Sequence, residues 1–488
     1  MIRTVLEQLE GCPDVSIPAP VSPLIDGEIN GVNRHLAWRN EVDGDERAGN
    51  DLSETVQNET PTHFDCVVVG AGQAGLGTAG RLKALGVPHV VLDKHDRIGD
   101  NWMTRYDSAR LHTAREYNHL PFDRTFPPCY QEFLTKYDLA RGYRDWMEKF
   151  GIDRHIWFST TLRSGTWDET QKRWTLQIQR DGAPPSMQIL TCRHVVLAVG
   201  GGGQIPLMPA YPGRDLYQGT VLHSGDYKTS AQWRGKSGIV IGTANTAHDV
   251  AEDMVKAGLS SITMVQRTRT YVLPWEYFQK ITHRTYNGDT PVETTDRQQY
   301  SMPYAVTRLL SHEALHAMAA EEPERFDALE RAGFKVERYG DIMWHICEKL
   351  GGHYMNVGCS DLISRGLIQM KSDALPTHFT REGLAFSDGT ELAADAVVFC
   401  TGFVGNMRSS VRELFGANIA DRVQDFWGLD DEGELKGAFK PTGRKLPFSS
   451  RWLITLSNQP TRSRALVYGR HDRTRTVLFA PRGDADQG

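Results

Sequence analysis

Six residues, Gly70-Ala71-Gly72-Gln73-Ala74-Gly75, have the types and spacing of a phosphate cradle, and they follow the apolar run Cys66-Val67-Val68-Val69. Gly70 permits a tight turn, Gly72 lets the backbone approach a pyrophosphate, and Gly75 lets the following helix pack closely on the strand. The free N–H groups at the start of that helix then meet the phosphate oxygens. Asp93 ends the next apolar run, Val90-Val91-Leu92, where a carboxylate accepts hydrogen bonds from ribose hydroxyls and repels a 2′-phosphate. This first cradle suits FAD or NAD better than NADP.

A second, degenerate copy stands at Gly242-Thr243-Ala244-Asn245-Thr246-Ala247, after the run Ser237-Gly238-Ile239-Val240-Ile241. Gly242, Asn245 and Thr246 are its candidate binding residues. Ala244 and Ala247 replace the second and third glycines, and the methyl of Ala244 crowds the path of a pyrophosphate. The strand that follows ends in Gln266-Arg267-Thr268-Arg269 instead of an acid. A guanidinium at Arg267 pairs with a 2′-phosphate and so points to NADPH; the alternative is an ordinary solvated charge. Two such turns in one chain imply two dinucleotides, the layout of a flavoenzyme reduced by a nicotinamide.

The elements that must hold these turns are legible from periodicity. Asp65–Val69 and Val90–Leu92 read as buried strands flanking a helix over 71–86, a compact βαβ unit. A helix from Thr135 carries Tyr137, Leu139, Tyr143, Trp146, Met147 and Phe150, an aromatic face that reads as core. Strands near Ile156–Phe158 and Trp174–Ile178 precede a buried strand, His194–Val199. The second unit runs from Ser237 to Val265. Helices lie between Pro303 and Phe334, broken near Glu322-Pro323, and Asp388-Gly389 marks a hairpin before the buried run Ala396–Phe399. The expected fold class is α/β, with two Rossmann-like dinucleotide-binding domains, the second inserted in the first. The expected boundaries are a loosely ordered extension over 1–62, the FAD domain over 63–210, the NADPH domain with a helical insertion over 211–375, and the rest of the FAD domain over 376–488.

Composition narrows the function class. With 488 residues, 40% of them hydrophobic, the chain has core enough for two or three domains. A formal net charge of −6 and the lack of a basic, aromatic-rich cluster argue against nucleic acid as a partner. Charges interrupt Met1–Glu10 where a signal peptide needs apolar residues, and no run long enough for a membrane span occurs, so a cytoplasmic location is expected. The seven cysteines are scattered without a Cys-x-x-Cys pair, which reads as reduced thiols and disfavours dithiol redox chemistry. Neither a metal-ligand spacing nor a Ser-His-Asp arrangement is visible, so the hard chemistry falls to the cofactor.

Between the cradles, Tyr217-x-Gly219-x-x-x-His223-x-x-x-Tyr227 resembles the Phe-x-Gly-x-x-x-His-x-x-x-(Tyr/Phe) signature of flavin-containing monooxygenases, class B flavoprotein monooxygenases, with Tyr217 in place of Phe. Gly99-Asp100-Asn101-Trp102 resembles the family's Gly-Gly-x-Trp element, which implies that Trp102 lies against the flavin. Cys400-Thr401-Gly402-Phe403 is similar to the second interdomain hinge. The resemblance covers roughly residues 63–443 and is nearest to the fungal branch. It implies an enzyme in which NADPH reduces FAD, oxygen adds at flavin C4a, and the resulting peroxide oxygenates N or S of a small molecule while the protein excludes water. Two residues then become catalytic candidates. His223 either ties the linker down or acts in the reaction, and His112, within Leu111-His112-Thr113, either hydrogen-bonds a flavin peroxide or only packs.

Two rival functions are a Baeyer–Villiger oxygenase of ketones and a flavin-poor, inactive nucleotide-binding relative. The first is disfavoured because that group's signature continues with Trp-Pro where this chain has Tyr227-Lys228. The second draws on the tail: the resemblance stops after Pro441-Thr442-Gly443, and nine Lys and Arg against three Asp follow. The substrate pocket is expected from segments such as 273–345. The oligomeric state is not encoded in any of these features.

Overall fold

The computed structural model describes residues 62–182, 184–200, 205–426, 428–437 and the backbone of Leu453–Thr455. The proposed extension over 1–62 thus lies almost wholly outside the described residues, as do Gly443 and the basic tail apart from that short strand.

The first βαβ unit forms where the apolar runs demand it. Cys66–Val69 is buried because neighbours cover both sides of its strand, His63–Val69. That strand pairs in parallel with His89–Leu92 on one side and with the long strand Ser186–Leu197 on the other. Ile156–Trp157 extends the sheet beyond His89–Leu92. The long strand serves two partners. From Thr191 onward it runs parallel to the first strand, and its Ser186–Cys192 half is antiparallel to Arg173–Arg180, which pairs in turn with Thr160–Asp168. Leu453–Thr455 returns to this sheet, parallel to Val195–Leu197.

The second unit is a five-stranded parallel sheet in the order Gln369–Lys371, Ser261–Val265, Ser237–Ile241, Ala396–Phe399, Thr220–His223. Here one expected boundary moves. Ala396–Phe399 falls in the stretch assigned to the returning first domain, yet it sits between the two strands of the second unit, because Val397 and Phe399 complete that unit's core with Ile239 and Ile241. The chain therefore leaves the second sheet after Phe399. Two small sheets accompany it: Thr270–Pro274 between Val336–Glu337 and His353–Asn356, and an antiparallel meander over 376–393.

Helix starts follow their local signals. Lys136–Lys149 opens with a reciprocal capping box, Thr135 accepting from the Asp138 amide and Asp138 accepting from the Thr135 amide. Its Leu139, Tyr143, Trp146 and Met147 are buried, but Tyr137 is 48% exposed. A two-residue offset from Leu139 turns a side chain about 200° around the axis, so Tyr137 leaves the buried stripe. Tyr304–Glu321 and Pro323–Arg331 divide where Pro323 enters at the first helical position. The hairpin at Asp388-Gly389 forms with Gly389 at φ +81°, the Asp388 carboxylate accepting from the Thr390 amide. Among the described residues no helix is long and apolar enough to cross a membrane.

Candidate functional site

The two cradles repeat one construction. Gly70 has φ +102° and donates its amide to Leu92 O at 2.7 Å; Gly242 has φ +122° and donates to Val265 O at 3.0 Å. A Cβ on either would stand 2.5 Å from a carbonyl oxygen of the neighbouring strand, Ala198 or Cys400 respectively. Only glycine meets both demands. At Gly75 a Cβ would run into Gly70 O, which holds helix and turn in contact.

Helix Gln73–Ala84 begins at Gly72 and helix Asn245–Ala257 at Ala244, and neither N-cap residue supplies a side-chain acceptor. Their first-turn N–H groups thus remain available to an anion, in contrast to the capped helix at Thr135. Ala244 (φ −91°, ψ −176°) has nearly the backbone of Gly72 (φ −74°, ψ −168°), so the alanine costs no backbone strain. On the open side of Gly72 a Cβ would first meet Asn101 Nδ2, at 3.4 Å.

Asp93 faces the first cradle. Its Oδ2 accepts from the Ala71 amide at 2.6 Å and its Oδ1 from the His95 amide at 2.8 Å, which leaves one lone pair on each oxygen for ribose hydroxyls. Arg267 stands exposed just past the strand Ser261–Val265, with no hydrogen bond or ion pair among the described residues. Its neighbour Arg269 is engaged, donating to Val336 O at 2.8 Å and facing Glu330 at 3.7 Å. Of the two guanidiniums, Arg267 is the one left for a phosphate. Asn245 braces instead of projecting, since its Oδ1 accepts from the Met355 amide at 2.8 Å; Thr246, half-buried, lies in the same first turn.

The linker residues tie chain segments together. His223 Nδ1 accepts from the Gly225 amide at 3.1 Å, so that nitrogen carries no proton, and Nε2–H donates to Gly402 O at 3.1 Å. Burial holds this imidazole below its usual pKa. The bond to Gly402 joins the first hinge to the second. Tyr217 donates to Ala394 O at 2.6 Å, and Tyr227 bonds Ser230 and Asp253.

His112 is 7% exposed and both ring nitrogens are engaged: Nε2 with Asp249 Oδ1 at 2.9 Å and Nδ1 with Met355 O at 3.2 Å. Tyr106 donates to the other Asp249 oxygen at 2.6 Å. Neither His112 nor His223 lines the cavity beside the first cradle, although Leu111 and Thr113 do.

That cavity, about 490 Å³, begins at the first cradle with Gln73, Asn101 and Trp102 and extends under the helical insertion. Gly99, at φ +89°, lets the short helix Asp100–Met103 press on Ala140 and so presents Trp102. Its far wall is aromatic and apolar, with Tyr117, Phe278, Tyr300, Tyr304, Met302 and Met343. Tyr117 stacks on Tyr286 at 4.1 Å, and Tyr286 donates to the buried Asp296 at 2.9 Å. Arg105 is the sole charged side chain of the lining, its guanidinium 4.6 Å from the Trp102 ring centroid. A second hollow, between Ala328 and Met370, is lined by no residue of either cradle.

Sequence reasoning missed Arg105, Tyr106 and Asp249. A signal for Asp249 was present: an acid four residues past Asn245, on the face of a helix whose next residues are apolar, needs buried partners.

Two such cradles on one chain, one closed by an acid and the other by a free arginine, define a flavoprotein that takes its electrons from NADPH. The chain belongs to the flavin-binding monooxygenase-like family, whose model matches residues 66–408. It is similar to the probable indole-3-pyruvate monooxygenase YUCCA3 of Arabidopsis thaliana, 28% identical over 386 residues that span 78% of this chain and 79% of that protein. Against indole-3-pyruvate monooxygenase YUCCA1 of Oryza sativa subsp. japonica the identity is 27%, spanning 79% of this chain and 83% of that one. These relatives are plant proteins, whereas the motifs resembled a fungal branch. In fold it is similar to the open crystal structure of cyclohexanone monooxygenase (TM-score 0.58, 18% identity, covering 83% of this chain and 86% of that one). The complex of OTEMO with FAD and NADP is comparable (TM-score 0.59, 17% identity, 82% and 83%). The chain is a FAD-dependent NADPH monooxygenase of α/β fold with two dinucleotide-binding domains.

Proposed function

We propose that this enzyme oxygenates a small, largely aromatic or apolar molecule that carries an anionic group, with an aromatic 2-oxo acid as the leading substrate class. The observation that carries this reading is Arg105. It is the only charged side chain of the cavity that begins at the flavin cradle, whose lining is otherwise neutral with an aromatic and apolar far wall, and no carboxylate of the lining opposes it. A guanidinium open to such a cavity favours a carboxylate in bidentate geometry and disfavours a cationic amine. The indole-3-pyruvate named for the plant relatives is a molecule of this class.

In this reading Gly70, Gly72, Gly75, Asp93 and Trp102 hold FAD, while Gly242, Asn245, Thr246 and Arg267 hold NADPH. FAD, once reduced, supplies the oxygen activation. The protein's own residues bind, orient and exclude water. His223 locks the two hinges and His112 braces the interface, so both act through neighbours.

Oxygenation at N or S is the second reading. The wall of Phe278, Tyr300, Met302 and Met343 suits a neutral thioether or amine, and it has no acid to hold a cation. Baeyer–Villiger oxygenation of a simple ketone shares the fold and the attack on a carbonyl carbon, but the Trp-Pro of that group's signature is Tyr227-Lys228 here.

The test is a panel of an aromatic 2-oxo acid, a thioether, a tertiary amine and a cyclic ketone under ¹⁸O₂ with NADPH. The reading expects labelled product chiefly from the oxo acid, and an Arg105→Ala variant whose KM rises for that substrate alone. Labelled sulfoxide or N-oxide as the main product would overturn it in favour of the second reading. A purified chain that is colourless and takes up no FAD would speak for the inactive relative.

A further inference from the structure

We infer that Asp249 is a positioning residue for flavin reduction, the link that sets how the NADPH-side helix meets the flavin-side segment. The inference rests on the two cofactors and is independent of the substrate reading.

Helix Asn245–Ala257 carries Asn245, Asp249 and Asp253 at intervals of four residues, hence on one face. Each accepts hydrogen bonds from outside the helix. Asn245 takes the Met355 amide, Asp249 takes Tyr106 Oη and His112 Nε2, and Asp253 takes the Ser230 amide at 2.8 Å together with Tyr227 Oη. This same helix starts at the second cradle, so its placement would set that of an NADPH pyrophosphate held there.

Tyr106 and His112 belong to the segment that follows Trp102 and reaches the cavity wall at Leu111 and Thr113. Met355 closes a circuit. Its carbonyl faces His112 Nδ1, its amide bonds Asn245, and the residue itself lines the cavity. Asp249 to His112 to Met355 to Asn245 thus returns to the first turn of the nucleotide helix. Three of its members are buried, Asp249 at 6% exposed, His112 at 7% and Met355 at 6%, and Asn245 is half-buried.

A carboxylate suits position 249. Its two oxygens meet Tyr106 Oη and His112 Nε2, and His112 Nδ1 faces the Met355 carbonyl. An amide in place of the carboxylate turns an NH₂ group toward Tyr106 or His112, so that partner must change its hydrogen-bonding role and the circuit loses its charged acceptor. The helix and the segment beside Trp102 then lose their common reference. The covalent chemistry of hydride transfer is untouched; only the alignment of its two partners changes.

The experiment compares Asp249→Asn and Tyr106→Phe with the parent, all loaded with FAD. Anaerobic stopped-flow gives the limiting rate of flavin reduction at saturating NADPH, and hydrogen exchange of the Met355 amide is followed without NADPH. For Asp249→Asn the limiting rate should fall about ten-fold or more, as misalignment near 1 Å can cost 10²-fold, with FAD content and half-saturating NADPH held within about two-fold. Exchange at Met355 should accelerate in the same variant. Tyr106→Phe removes one donor and spares the circuit, so a smaller rate loss is expected in a protein that keeps its flavin even if Asp249→Asn does not. Limiting rates within about two-fold of the parent in the flavin-loaded variants, or a defect confined to FAD content or NADPH affinity, would overturn the proposal.

Discussion

The carboxylate of Asp93 accepts a hydrogen bond from the amide of Ala71 at 2.6 Å, across the turn between the first strand and the first helix. The residue expected to hold the ribose thus also braces the glycine turn. Substitution Asp93→Ala removes both functions, and charge-assisted hydrogen bonds of about 1.5–3 kcal/mol imply FAD affinity lower by about ten-fold or more. Flavin absorbance per protein after gel filtration measures it. Full flavin content in that variant would exclude Asp93 from the site.

Arg267 is the proposed partner of a 2′-phosphate, and among the described residues it has no hydrogen bond or ion pair to release. Arg267→Ala should raise KM for NADPH by about ten- to a hundred-fold, the value of one charge-assisted contact, with KM for NADH unchanged. Initial rates of flavin reduction with each nucleotide decide the matter. An equal effect on both nucleotides would show that the contact reads something other than the phosphate.

Arg124 holds the loop beneath the insertion. It donates to Gly288 O at 2.8 Å and Asn287 O at 3.1 Å, and it pairs with the buried Glu116 at 2.6 Å. Arg124→Ala leaves Glu116 with Arg115 and His119 but frees the loop that precedes the wall residues Gln299 and Tyr300. A loss of roughly 1–3 kcal/mol is expected in urea unfolding, with KM for substrate raised more than KM for NADPH. Equal KM values for parent and variant would separate the loop from the cavity.

Acid should destabilise the protein through its buried neutral histidines. Burial lowers His89 and His353 to about 4 and His248 to about 3, all below the unfolded value near 6.5. The unfolded chain therefore binds more protons between those limits, so stability present above pH 6.5 is lost as the pH falls towards 4 and 3. Each histidine contributes a slope of up to about 1.4 kcal/mol per pH unit inside its window. Melting curves from pH 7.5 to 5 should fall steadily below 6.5, less steeply in His89→Gln. A flat profile would mean that these rings take up protons in the folded state.

The amino-acid sequence by itself determined the two cradles. Their glycines answer a local demand, a positive φ at Gly70 and Gly242 and a close approach at Gly75, and such demands are written in consecutive residues. It likewise determined the strands Cys66–Val69 and Ser237–Ile241, whose apolar runs suit a sheet covered on both faces. The break at Pro323 and the hairpin at Gly389 are local in the same sense.

Tertiary structure alone decided what meets across the chain. Which sheet receives Ala396–Phe399 depends on packing with a strand more than a hundred residues earlier. His112 meets Asp249 because two units dock, and His223 meets Gly402 because the strands Thr220–His223 and Ala396–Phe399 pair, so their hydrogen bonds could not be read from neighbours in sequence. Arg105 is an exposed arginine, and only the tertiary fold makes it the sole charged side chain of the cavity lining. Local backbone chemistry makes the cradles; long-range packing assigns the partners of the side chains around them.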